Sequence, residues 1–150
     1  MKPLIVLVSV FSIALVLIKV TTQAYNLQLS ARIAMCAMLF FTAIGHFVFT
    51  KGMTMMVPAI IPYKTTIVYA TGVLEILLGV SLLIPTVSAC AGWLLIFFLI
   101  LLLPANIYAA MQQVDYQKAT LTGPGLTYLW FRIPLQIVFI VWVYLSAVTK

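Results

Sequence analysis

The chain has 150 residues, 65% of them hydrophobic and 7% charged, with a formal net charge of +6 and a mean hydropathy of +1.25. A soluble domain is nearer a quarter charged, and eight basic plus two acidic side chains cannot build a polar shell. That excludes a soluble globular protein. The basic residues are scattered rather than clustered, so the positive charge is no nucleic-acid footprint and instead matches anchors flanking membrane segments.

Five apolar segments follow in chain order, over 4–20, 31–50, 65–84, 88–110 and 126–148. Each approaches the roughly 20 residues that a helix needs to cross a hydrocarbon core of about 30 Å. Backbone polar groups in lipid must be satisfied within the segment, so the segments are predicted as helices. The expected fold is an all-α membrane protein in one domain. It is an antiparallel transmembrane bundle of four core helices (31–148) plus an N-terminal helix (4–20). That first segment follows a lone Lys2 and reads either as a retained helix or as a signal peptide; its length and the poor cleavage site at Thr22-Gln23-Ala24 favour retention.

Between the second and third spans lies KGMTMMVPAIIPYKTT, in which Pro58 and Pro62 oppose a continuous helix. It reads as a loop, either lying in the headgroup region or closing over a cavity in the bundle. IPTVS at 84–88 is short enough to force a hairpin between the third and fourth spans, and GPG at 123–125 breaks the chain before the last. Lys2, Lys51, Lys64 and Lys118 fall on one side, termed the A side; Lys19, Arg32 and Lys150 fall on the B side. The positive-inside rule then puts the N-terminus in and the C-terminus out.

Ionisable groups inside membrane spans are rare and usually face the bundle interior. Here they are His46, Glu75 and Arg132, joined by Asn106 and Gln136. At about 1.5 Å of rise per residue, all five lie in the A-side half of the bilayer, with Glu75 and Gln136 near the midplane. Gly72, Glu75 and Gly79 share one stripe, where small residues mark a close helix approach. Tyr128, Arg132 and Gln136 form a second stripe at i, i+4, i+8. Arg132 is the expected ion-pair partner of Glu75, because either charge alone at that depth costs at least ~2.5 kcal/mol. A packing clamp and a ligand cavity both account for such residues; five polar groups from four helices favour the cavity.

The ordered pattern GHF (45–47), a Pro-rich apolar loop, TG-x-x-E (71–75), PAN (104–106) and R-x-P-L-Q (132–136) resembles the DoxX-like family of small bacterial membrane proteins. The likeness covers about 31–148 and leaves the first helix outside. It implies a bacterial cytoplasmic membrane location and a redox association, since relatives are linked to thiosulfate:quinone oxidoreductase, methylamine utilisation and quinone or thiol stress. It also implies that His46, Glu75, Asn106, Arg132 and Gln136 form a shared polar core.

Other chemistry finds little footing. With one His and no clustered ligands, neither a bis-His haem site nor a zinc site is evident. Cys36 and Cys90 form no C-x-x-C and are expected to be buried free thiols. Three functions remain open. One is a redox-associated subunit whose cavity, lined by His46, Glu75, Asn106, Tyr128, Arg132 and Gln136, binds a quinone-like or other small amphipathic ligand. Another is a small proton-coupled transporter using Glu75. The third is a non-catalytic subunit of a membrane complex, partnered by a membrane or redox protein or by a second copy. Whether the protein is an enzyme stays open among them.

Overall fold

A computed structural model of the chain describes residues 2–149; Lys150, one of the three B-side anchors, lies outside them. The described residues form six α-helices: α1 (Lys2–Thr22), α2 (Leu27–Val48), α3 (Thr50–Met56), α4 (Lys64–Leu83), α5 (Ser88–Met111) and α6 (Thr127–Val143). A π-helical segment, Tyr144–Val148, continues α6. Five of these stretches are long and apolar enough to cross a membrane. Large apolar side chains stay exposed along them, among them Leu17, Leu77, Phe97 and Ile137. A surface of that kind suits lipid, not water.

The helix ends follow local chemistry. Asn26 caps α2 by accepting from the Leu29 N–H at 2.9 Å. Met56 ends α3 because Val57 precedes Pro58 and is held extended. The 51–64 stretch is therefore not the uninterrupted loop expected from its two prolines. Both prolines fall after Met56, so Thr50–Met56 is free to wind into a short helix. The turn at 84–88 forms as expected, with the Val87 N–H donating to the Ile84 carbonyl at 3.2 Å.

Close approaches between helices set their pairing. Gly72 of α4 lies beside His46 of α2, and Gly79 lies beside Leu39 and Cys36. As one number rises the other falls, so α2 and α4 run in opposite directions. In the same way Gly92 of α5 meets Ala147 and Val148, while Leu99 meets Gln136. The core is apolar and drawn from every long helix, including Leu7 of α1, Met35 and Leu39 of α2, Leu82 of α4, Leu95 of α5 and Phe139 of α6.

At the A side the two connections pack on each other. Gly52 of α3 sits directly against the Tyr116 carbonyl, where no side chain would fit. Phe49 meets the Tyr116 ring edge to face at 6.0 Å. Asp115 orders its own loop by accepting from the Gln117 and Lys118 N–H groups, and its backbone pairs with Thr120. Cys36 is buried and Cys90 exposed, both as free thiols. The exposure of Cys90 corrects the expectation that both are buried: it lies in the first turn of α5, on a face no other helix covers.

Candidate functional site

Glu75 is 6% exposed although it sits in the middle of α4. Its partner is His46 of α2, whose Nε2 lies 3.4 Å from Glu75 Oε1. Gly72 makes the meeting feasible. A Cβ there would come within 2.8 Å of His46 Cβ, so glycine is the residue that lets the two helices close. Gly79, one turn beyond Glu75, has ordinary contact distances of 3.5 and 3.6 Å to Leu39 and Cys36.

Two threonines complete the group. Thr42 Oγ1 lies 2.8 Å from Glu75 Oε2, and Thr71 Oγ1 lies 3.1 Å from His46 Nδ1. Thr42 stands four residues before His46, and Thr71 four residues before Glu75, so each threonine shares a face with one member of the pair. Each bonds the member on the opposite helix. The antiparallel course of α2 and α4 makes this exchange geometrically natural.

Hydrogen-bond bookkeeping locates a proton. His46 Nδ1 is 3.0 Å from the Val68 carbonyl, which can only accept, so Nδ1 carries a hydrogen and donates to it. The Thr71 hydroxyl donates to the same carbonyl at 2.9 Å and leaves its lone pairs toward Nδ1. His46 Nε2 then faces a carboxylate oxygen. Two lone pairs would repel, so the contact is favourable when one proton sits on Nε2 or on Oε1. With it on either atom the pair is neutral overall, which removes the cost of an isolated charge in the span.

Thr42 suits both placements. Its hydroxyl lies within reach of the Leu39 carbonyl, at 3.0 Å, and of Glu75 Oε2. It donates to Oε2 when Glu75 is ionised. With the proton on Oε1 instead, Oε2 remains an acceptor and Thr42 donates to it as before. Neither state strands a buried donor.

The remaining predicted residues stand apart from this group. Gln136 is buried on α6, and its Nε2 donates to the Leu99 carbonyl of α5. Because a carbonyl only accepts, the amide nitrogen is assigned to that side, and Gln136 Oε1 is left as a buried acceptor without a partner among the described residues. Asn106 is 4% exposed on α5; Tyr128 and Arg132 are half-buried on α6. No ion pair joins Arg132 to Glu75 among the described residues. The expected Glu75–Arg132 contact is thus corrected: α4 presents its glycine stripe to α2, while α6 packs chiefly on α5. Two cavities toward the B side, one beside Lys19 and Tyr25 and one beside Ala31 and Trp142, include none of the six predicted residues.

Thr42 and Thr71 are the residues missed from sequence. The signal was present as T-x-x-x-H at 42–46 and T-x-x-x-E at 71–75, two matching spacings on neighbouring spans.

The arrangement defines an apolar multi-helix protein with a histidine–carboxylate pair buried between two helices. The chain belongs to DUF8561, a domain of unknown function, whose family model matches residues 35–147. The match takes in the pair and both threonines and leaves α1 outside. No curated protein and no solved structure matches the chain.

Proposed function

We propose that this is a DoxX-like, redox-associated protein of the bacterial cytoplasmic membrane, in which the His46–Glu75 pair exchanges a proton with a quinone-like or similar amphipathic ligand. The observation that carries the reading is the buried Nε2–Oε1 contact of 3.4 Å, which one shared proton would hold together. General acid–base work needs a group that can hold a proton on either of two atoms without large cost, and the Thr42 hydroxyl serves both placements. Gln136 Oε1 supports a ligand with a hydroxyl group, since an amide oxygen accepts a hydrogen bond and cannot give one. That suits the reduced, hydroxyl-bearing form of a quinone, while the Arg132 guanidinium and Tyr128 suit a carbonyl oxygen. Asn106 would border the same region from α5.

The fold reading that goes with it is an antiparallel bundle with α2, α4, α5 and α6 as its core and α1 packed outside, N-terminus in and C-terminus out. It is supported by the opposed registers of α2 with α4 and of α5 with α6.

The test uses the full chain in lipid nanodiscs, titrated with a short-chain quinone and its quinol. Binding is expected to raise the thermal midpoint of the wild type and to change the infrared band of the Glu75 carboxyl. Glu75→Gln is expected to fold and to lose both effects. Equal quinol binding by wild type and Glu75→Gln would rule the reading out. A proton-coupled transporter is the second reading, favoured by the same Thr42 arrangement at Glu75. A Glu75-dependent proton flux in sealed vesicles, with no quinone effect, would select it.

A further inference from the structure

At the opposite end of the molecule the first turns of α2 meet the end of α6, and the chemistry changes. Trp142 Nε1 donates to the Ala31 carbonyl at 3.0 Å, Gln28 Nε2 to the Thr149 carbonyl at 3.0 Å, and Arg32 Nε to the Ser146 carbonyl at 2.7 Å. Ser146 lies near the end of the π-helical segment, where helix carbonyls run short of intrahelical donors. Arg32 supplies the missing donor.

Beside this junction a groove of about 280 Å³ runs between α1, α2 and the π-helical segment. Phe11, Leu27, Ala31, Trp142 and Leu145 make it apolar. Phe11 and Trp142 close one end, ring edge to face at 5.1 Å. Ser146, 3% exposed, lines it too, and its hydroxyl is buried without a partner among the described residues. Arg32 follows the lining residue Ala31 in the chain and bonds the carbonyl of the lining residue Ser146. Only its Nε is engaged, so the two terminal amino groups of the guanidinium keep their four N–H donors without a protein partner among the described residues.

An apolar groove, a positive fork and an unpartnered hydroxyl together select an amphiphile with an anionic head. We propose that this groove binds an anionic phospholipid, its phosphate held by the Arg32 amino groups and the Ser146 hydroxyl, its apolar part lying along Phe11, Leu27 and Leu145. Guanidinium matches phosphate with paired, charge-assisted hydrogen bonds. Basic pockets between membrane helices hold anionic headgroups by the same means. The site is separate from the His46–Glu75 pair and does not depend on its function.

The test is lipid retention by the purified full chain, read by native mass spectrometry and by thermal midpoint, with phosphatidylglycerol against phosphatidylcholine. The wild type is expected to keep phosphatidylglycerol with a preference of about fivefold. Arg32→Gln should erase the preference. Ala31→Leu fills the groove while leaving Arg32 in place, and should release the lipid of either kind. Equal retention of the two lipids by the wild type, or undiminished retention by Ala31→Leu, overturns the proposal. A matching thermal shift with inorganic phosphate alone would mark a free-anion site and overturn it as well.

Discussion

The two polar junctions of this protein solve the same problem by different chemistry. Both must satisfy hydrogen-bonding groups inside an apolar bundle. The B-side junction does so with side-chain donors to backbone carbonyls: Trp142 to Ala31, Gln28 to Thr149 and Arg32 to Ser146. None of those bonds contains a group that exchanges its proton in ordinary operation. The A-side junction joins side chain to side chain, Thr42 to Glu75, Glu75 to His46 and His46 to Thr71. Its central contact sets an imidazole nitrogen against a carboxylate oxygen, two groups that can each carry a proton. The first arrangement is a fastener; the second has two states of similar composition, which a fastener does not need.

The largest expected effect falls on the second junction. His46→Leu removes the proton-sharing partner and leaves the Glu75 carboxyl buried, so a stability loss of about 3–5 kcal/mol is expected from reversible unfolding in bicelles. Adding Glu75→Leu should recover most of it, because an apolar pair of similar volume can replace a buried polar one at little net cost. Failure of that recovery would mean that the helices depend on more than the pair.

Next come the glycines. Gly72→Ala forces a Cβ to within 2.8 Å of His46 Cβ and is expected to cost about 1–3 kcal/mol through overpacking. Gly79→Ala meets ordinary contact distances and should be neutral or stabilising by up to about 1 kcal/mol, since alanine loses less backbone freedom. Equal losses at the two positions would show that the α2–α4 contact is not graded as described.

The B-side comparison is milder. Trp142→Phe deletes one neutral hydrogen bond to the Ala31 carbonyl, for about 0.5–1.5 kcal/mol, with no change in proton exchange or quinol binding. Glu75→Gln should have the smallest effect on stability, about 1 kcal/mol or less, because the amide can still donate toward His46 Nε2 and accept from Thr42. It should nevertheless remove the carboxyl infrared band and all proton exchange. A variant that keeps the fold and loses the chemistry separates the two junctions most sharply.

Much of the molecule was legible from composition and length. Apolar runs near 20 residues predict helices locally, because each span must satisfy its own backbone in lipid and needs no distant partner to do so. The stripe of Gly72, Glu75 and Gly79 predicted a close helix approach, and α2 makes it. Thr50–Met56 was missed because the prolines that argue against helix begin only after it. The pairing of Glu75 with Arg132 failed for a different reason. Residue counting along a span yields an expected depth, but depth says nothing about which helix stands next to which. Gly72 opens α4 toward α2, so His46 reaches the carboxylate.

The sequence by itself determined that the chain is helical, that five stretches suit a membrane and that its few ionisable groups within the spans gather toward one half. Those properties depend on neighbours within one segment. Only the tertiary structure decided that His46 is the partner of Glu75, that Thr42 and Thr71 cross over to the opposing helix, and that Arg32 fastens the end of α6. Each of those contacts joins residues at least 25 positions apart, and each depends on the rotation of one helix about its axis relative to another, which is set by side-chain packing across the whole bundle.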